Sequence, residues 1–492
     1  MKQFGYLLVL ILFVQFWHSS DAKAEPWINT NDVYLRGCID QLAQSGVLAV
    51  PVNTYPLMWK TIKTQLDQLA YFNLENKNQA ALHCVKNSLR YAKKDNAGIR
   101  ISATSQARQF NSHGEVWREQ AGVNLYKSFI GDAWAAKISA YFRNKPSGGH
   151  DKTYEGSYLA GVFGNWVLSV DQIPQWWGPG QDSALALSNN AIAFPALRLS
   201  RHSSESFTSP WLSWIGSWSF TTYLGQQEHG NSMPGTNLWG MRVNFRPLQS
   251  LEIGISRASQ WGGGDREESL STLWDLLIGD VADPDEANDL NTKKEPANQL
   301  GGIDIKWYLQ PLFDVPVNVY LEMIGEEGEG GFPSHTMQLI GAEYSWHSKE
   351  YWQKIYVEVS DTTALCDDNY DISNCVYQHQ LYPEGYRRYG YSMGSTYDSG
   401  AKATVIGYQY WSGAWQGFAK LRMLKLNRDL VEGNQVLAVA RDENQLQIGA
   451  RVPLFNGKLN AQLTLRDIEE KSLAANPDDD DAILSLSWEL HY

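Results

Sequence analysis

The stretch Leu484-Ser485-Leu486-Ser487-Trp488-Glu489-Leu490-His491-Tyr492 sorts into two sets. Successive side chains of an extended strand point to opposite faces. Leu484, Leu486, Trp488, Leu490 and Tyr492 therefore share one face, and Ser485, Ser487, Glu489 and His491 share the other. The same period of two recurs upstream. Leu459, Ala461, Leu463 and Leu465 alternate with Asn460, Gln462, Thr464 and Arg466. Ile303, Ile305, Trp307 and Leu309 alternate with Asp304, Lys306, Tyr308 and Gln310, and Trp239, Met241, Val243 and Phe245 with Gly240, Arg242, Asn244 and Arg246. Each strand pairs an apolar face with a polar, often charged one.

Read this way, strands are predicted at 98–110, 116–129, 132–144, 154–163, 165–173, 194–201, 211–226, 237–246, 250–261, 300–310, 315–325, 336–346, 351–361, 399–411, 415–427, 443–453, 457–467 and 482–492. About eighteen strands is an even number, and the connections alternate between short turns and long loops, as in single-chain barrels of bacterial outer membranes. The long loops are 174–193, 262–299, 362–398, 428–442 and 468–481. The competing fold, a soluble β-sandwich, would leave open strand edges that invite aggregation. A final strand ending on an aromatic also resembles the assembly signal of outer-membrane barrels. The composition agrees: 20 Trp and 25 Tyr are far more than a soluble chain needs, and these residues concentrate where protein meets the membrane–water boundary. The expected fold is a transmembrane β-barrel of antiparallel strands, localised to the outer membrane.

The first residues predict export. Lys2 precedes an apolar run from Tyr6 to Trp17, and Ala22-Lys23-Ala24 supplies small residues for cleavage. Residues 1–24 read as a signal peptide, the run being too short to span a bilayer, which takes about 20 residues. Residues 25–94 change period: Leu35, Cys38, Ile39 and Leu42 recur at helical spacing after the caps Asn31 and Asp32, with Gly46 as a stop. Trp59, Ile62, Leu66 and Leu69, then Leu82, Val85, Leu89 and Ala92, repeat the pattern. A small helical domain on the periplasmic side is expected, with the barrel occupying 98–492. In an exported chain the cysteines should pair, Cys38 with Cys84 across the helices and Cys366 with Cys375 in a long loop, free buried thiols being the alternative.

Charge narrows the partners. The chain carries a formal −13, and loss of Lys2, Lys23 and Asp21 leaves −14, which argues against nucleic acid. The inward positions run the other way, with Arg100, Arg108, Lys137, Arg143, Arg242, Arg246, Lys306, Lys354, Arg451, Lys458 and Arg466 against Glu252, Asp304, Glu322, Glu358 and Glu489. Such an interior either attracts anionic solutes or fills the lumen with internal ion pairs. The loops are acidic, ten acids to three bases over 262–299 and a run from Asp478 to Asp481. That reads as solvated surface or as a place for divalent bridging; no metal site and no cofactor are assigned.

Two aromatic clusters carry the most chemistry. Trp176-Trp177-Gly178-Pro179-Gly180 leads to Ser188-Asn189-Asn190, and Tyr386-Arg387-Arg388 follows in a later loop. Indoles beside glycine turns offer sugar rings an apolar platform, amides bind hydroxyls, and Arg forks onto carboxylates; a loop folded into the barrel as a plug is the structural alternative, compatible with the first. These runs, with Tyr158-Leu159-Ala160, Asn165-Trp166, Leu42 to Gly46, Tyr55-Pro56-Leu57, Gly390 and Gly394, resemble the Wzi family over nearly the whole mature chain. Val170-Asp171-Gln172-Ile173 departs from the pattern just before the tryptophans, where it bears on saccharide preference. The resemblance implies an eighteen-strand outer-membrane barrel with a periplasmic helical bundle that holds capsular polysaccharide and organises the capsule as a lectin. Trp176, Trp177, Asn189, Asn190, Tyr386, Arg387 and Arg388 are then the candidate polysaccharide contacts. Capsular or surface polysaccharide, outer-membrane lipid and, during biogenesis, the barrel assembly machinery are the expected partners. A porin-like channel for anionic saccharides is the runner-up. An enzyme is not expected, since none of the histidines falls in a nucleophile motif and no catalytic residues are assigned.

Overall fold

Strand alternation and turn chemistry close this chain into a barrel. The computed structural model describes residues 24–69, 76–146, 149–227, 233–264, 266, 268–278, 297–327, 333–348, 351–364, 376–379, 382–428, 439–470 and 481–492. Residues 1–23 of the expected signal peptide (1–24), and Cys366 and Cys375 of the second expected disulfide, lie outside them. Every barrel pairing is antiparallel between chain neighbours, and the last strand, Ala482–His491, closes on the first, Ala97–Thr104, with Trp488 opposite Ile101 and Leu486 opposite Ala103. Lys152–Thr153 and Tyr158–Phe163 both pair with Trp134–Pro146 and form one interrupted stave, so the closed barrel has 18 strands.

The faces fall as the alternation requires. Ile303, Val357, Val359, Ile448, Leu484 and Leu486 are exposed on the outside, where an apolar band meets lipid. Their neighbours Asp304, Glu358, Ser360, Gln447, Ser485 and Ser487 are buried on the inside. Inside, tyrosines lie flat over the glycines opposite them: Tyr320 faces Gly341, Tyr356 faces Gly407 and Tyr223 faces Gly240. A Cβ on Gly407 would stand 2.1 Å from the Tyr356 ring, so these pairs require glycine for space and fix the register. At the short-turn end, exposed Trp134, Trp211, Trp214, Trp415, Phe455 and Tyr492 ring the rim.

Three predicted strands fall short by four residues or more: 154–163 begins only at Tyr158, and 98–110 and 211–226 lose more. Residues 105–110 leave the sheet after Thr104, which takes Arg108 off the wall and into the lumen. Residues 211–216 form a turn and the short 3-10 helix Ser213–Ile215, leaving Trp211 86% exposed; the strand begins at Ser217. In both places the alternation breaks where the sheet ends, at the adjacent polar residues Ser105-Gln106 and at the adjacent apolar pairs Trp211-Leu212 and Trp214-Ile215.

The helical segment comprises Val33–Gln44, Trp59–Gln68 and Asn76–Ala92. The Asp32 carboxylate accepts from the Leu35 amide at the first helix's N-terminus, which satisfies one of the unpaired amides there. Cys38 and Cys84 are disulfide-bonded across a sequence separation of 46. The segment does not hold its own core: Ile39, Leu42, Ile62 and Val85 pack in one cluster with Trp176, Ala184 and Tyr308. Val33–Gln44 enters the short-turn end of the barrel, where Asp40 pairs with wall residue Lys354 at 3.5 Å and Arg246 donates to Leu48 O at 2.9 Å.

Candidate functional site

Three connections from the long-loop end, 105–118, 172–195 and 376–401, turn inward rather than outward; nearly all of 172–195 is buried, as are most described residues of 376–401 and half of 105–118. A buried loop must find partners for its backbone polar groups, and the inward carboxylates of the wall supply them. Glu358 accepts from the amides of Gln181 (2.6 Å) and Ser183 (2.8 Å), Glu322 from Leu185 (2.9 Å), and Glu252 from Val52 (2.9 Å) and Asn53 (2.9 Å). The wall acids are thus docking points for the plug.

The charges pair inside the barrel. Arg242 meets Asp304 at 2.6 Å, Lys354 meets Glu343 at 3.3 Å, Arg143 meets Glu155 at 3.1 Å, and Arg198 meets Asp171 at 3.0 Å. Lys306 pairs with Glu343. Arg246 is held by the carbonyls of Leu48, Ala43 and Gln249. Of the two sequence readings of the basic interior, these contacts match internal pairing. Asp171, the departure noted before the tryptophans, is a buried counter-ion of Arg198.

A tighter knot was not singled out from sequence. Asp182, in the 172–195 loop, accepts from Lys420 (3.0 Å) and Arg422 (3.0 Å) of the wall strand Trp415–Leu426. Tyr397 also donates to it, and Ser112 reaches it at 2.9 Å. Burial pushes the Asp182 carboxyl up, but Arg422 and Lys420 outweigh it and hold it well below the carboxylate range. Glu115 behaves alike: burial raises it, Lys420 and Arg422 bring it down to about 2. The signal for Lys420 and Arg422 was present, since they alternate with outward Leu421 and Met423. Asp182 carries no such signal because it lies in a loop.

All seven candidate polysaccharide contacts lie in this plug, each at 2% exposure or less. Trp176 and Trp177 pair with Tyr55 and Thr54 in a short ladder, which joins two of the motif blocks. The Trp176 indole donates to Gly180 O at 3.1 Å and stands edge-on to His113 at 5.0 Å. Gly178 is at φ +146°, and a Cβ there would meet the Glu322 carboxylate at 2.6 Å, so the glycine between the indoles and the turn is required. Asn189 Nδ2 donates to Ser112 O and Glu115 O, both at 3.1 Å; Asn190 accepts from the Asn111 amide at 2.9 Å and donates to Ser392 O at 3.3 Å. Arg387 pairs with Asp398 at 2.6 Å, and Arg388 donates to Ile192 O (3.0 Å) and Ala193 O (2.6 Å). Tyr386 stacks with Tyr377 at 5.9 Å. The two loop clusters therefore meet, but their indoles and guanidinium groups face protein rather than solvent. Tyr389 lies nearer the surface, at the tip of the hairpin Arg387–Arg388 to Tyr391–Ser392, with its ring 3.8 Å from His150 and 4.5 Å from the Arg388 guanidinium.

The family model for capsule assembly protein Wzi matches residues 90–483, most of the barrel just described. The chain belongs to the Wzi capsule assembly family. It is an outer-membrane β-barrel of that family. A curated Klebsiella pneumoniae relative, an uncharacterised 55.8 kDa protein in the cps region, is 30% identical over 342 residues. That match spans 68% of this chain and 65% of the relative's length. Among solved structures, Wzi of Escherichia coli, an outer-membrane protein involved in group 1 capsule assembly and described as a carbohydrate-binding β-barrel, superposes with a TM-score of 0.82 at 26% identity, covering 94% of this chain and 98% of that one. Pseudomonas aeruginosa OprD matches with a TM-score of only 0.44 at 8% identity, over 81% of this chain and 94% of that one.

Proposed function

We propose that this protein is a lectin-like anchor that binds capsular polysaccharide on the long-loop face of its barrel and retains it at the cell surface. The observation that carries this reading is the plug. Loops from three hairpins occupy the lumen and are bonded to wall strands by Glu358, Glu322, Lys420 and Arg422. A barrel filled in this way serves as a platform, whereas a porin-like channel for anionic saccharides needs an aqueous path. The Escherichia coli protein described as carbohydrate-binding shares the architecture along nearly its whole length. In this reading Trp176, Trp177, Asn189, Asn190, Tyr386, Arg387 and Arg388 fix the shape of the binding face from beneath, and Tyr389 with His150 presents aromatic surface above them. Lipid around the apolar band and the barrel assembly machinery, engaged through the Ala482–His491 strand, are the remaining partners. The test compares surface-bound with released polysaccharide in capsulated cells lacking the gene and complemented with it, alongside conductance of the purified barrel in a planar bilayer. Capsule shed without the protein, retention restored by it, and no steady porin-like conductance are expected. Equal retention in both strains would overturn the proposal, and an open ohmic conductance would favour the channel.

A further inference from the structure

A cleft of about 400 Å³ lies at the short-turn end, opposite the long-loop face. One wall is the Trp59–Gln68 helix, which contributes Thr61, Thr64, Gln65 and Gln68. The other is the 202–216 connection, which contributes Ser203, Ser204 and Ser206, with Ser217 beside it. One contact joins the walls, the Ser204 amide donating to Thr61 Oγ1 at 3.1 Å, and within the second wall Ser217 Oγ donates to Ser204 O at 2.5 Å. Val50, Pro247 and Leu248 supply an apolar floor.

The cleft is lined by one charged group of each sign, a buried guanidinium and an exposed carboxylate. Its guanidinium, Arg246, is buried and bonded to the carbonyls of Leu48, Val50, Ala43 and Gln249. Its carboxylate, Glu205, accepts from Ser203 Oγ at 3.3 Å. What the cleft offers a ligand is hydroxyl and carboxamide groups over a patch of hydrocarbon. That pairing suits a molecule with many hydroxyls and C–H faces but no net charge. The volume lies within the usual range of small-molecule sites, about 300–1,000 Å³, and suits a short oligosaccharide rather than one sugar ring. A smaller cavity, between Gly37, His113 and Lys420, holds about 100 Å³, and its Arg36, Glu115 and Lys420 are already paired.

We propose that this cleft is a binding site for an uncharged, hydroxyl-rich saccharide of about two rings, approached from the short-turn side. In barrels of this kind that side faces the periplasm. The site is separate from the long-loop face, so the protein would contact glycan on both sides of the membrane.

The test uses the full mature barrel in detergent and saturation-transfer NMR with cellobiose, maltose and N,N′-diacetylchitobiose, and with glucuronic acid as the charged comparison. Two variants report on the cleft. Gln65→Trp fills it from a half-exposed helix position, and Ser206→Ala removes one exposed hydroxyl. Tyr389→Ala, on the other end, is the control that separates this site from the surface platform. Saturable binding of at least one neutral disaccharide is expected, weakened tenfold or more by Gln65→Trp, weakened less by Ser206→Ala and unchanged by Tyr389→Ala. Absence of binding by all three disaccharides overturns the proposal. So does binding that survives Gln65→Trp in a barrel of normal heat-modifiability, or binding lost only with Tyr389→Ala, which would move it to the long-loop face.

Discussion

Arg422, on the wall strand Trp415–Leu426, donates from both Nε and Nη2 to the Asp182 carboxylate of the lumenal loop, each at 3.0 Å, with both side chains all but shielded from solvent. A buried pair of this kind is worth little against a well-packed apolar replacement, but removing one partner strands the other charge and costs about 3–5 kcal/mol. Arg422→Met should therefore loosen the plug by about that amount, and Arg422→Met with Asp182→Leu should recover most of it. Urea midpoints of the folded barrel and protease cutting within 172–195 read the result. A single variant as resistant as the parent would show that this pair does not hold the plug.

Acid should release the same knot. Glu115 titrates at about 2 in the folded protein, and Asp182 is held well below the carboxylate range by Arg422 and Lys420. Groups whose folded pKa is depressed contribute stability above their unfolded value, near 4 for carboxylates, and lose it as pH falls through the folded value. His113 adds an earlier step: burial and the nearby Arg36, Lys420 and Lys354 keep it neutral. The unfolded chain then takes up that proton first, and stability begins to fall below about pH 6.5. Near-UV circular dichroism should be flat from pH 8 to 7, decline gently below 6.5 and fall steeply between about 4 and 2. The His113→Gln variant should lose only the first step.

Position within the plug should separate shape from contact. Trp176 and Trp177 are 0% exposed, and truncating a buried Trp costs about 3–5 kcal/mol. Trp176→Ala with Trp177→Ala should shed capsule together with a protease-sensitive lumen. Tyr389→Ala should shed capsule from a barrel whose protease resistance is unchanged. Surface-bound and released polysaccharide, measured beside barrel abundance, distinguishes them. Full retention with Tyr389→Ala would place the contact elsewhere on the long-loop face.

The Cys38–Cys84 bridge closes a loop of separation 46, worth about 4 kcal/mol in the chain-entropy model. Cys38→Ala with Cys84→Ala should leave the barrel closed, since its strands begin at Ala97. It should destabilise the helical segment, and Tyr55 and Thr54 of that segment pair with the plug tryptophans. Hydrogen exchange is the measurement, with faster exchange expected over 33–44 and 76–92 and secondarily over 176–187. Unchanged exchange in the helices would show that packing alone holds them.

Much of the fold was legible in the order of the residues. Strand alternation is local, so Leu484 against Ser485, or Ile303 against Asp304, reveals which side meets lipid without any knowledge of neighbours. The caps and helical spacing at Asp32, Leu35 and Ile39 are equally local, and so is the pairing logic of two exported cysteines on apolar helix faces. What the sequence could not carry is where a long loop goes. Trp176, Trp177 and Arg388 have the composition of an exposed sugar platform, yet they lie inside. Their backbone amides and guanidinium groups find partners on distant segments: Glu358 for 181–183, Glu322 for Leu185, and the carbonyls of Ile192 and Ala193 for Arg388. Asp182 and Arg422 are 240 residues apart. Each alone is an ordinary charged residue. Only closure of the barrel brings them within hydrogen-bonding distance and shields them from solvent, and that pins the 172–195 loop inside the lumen.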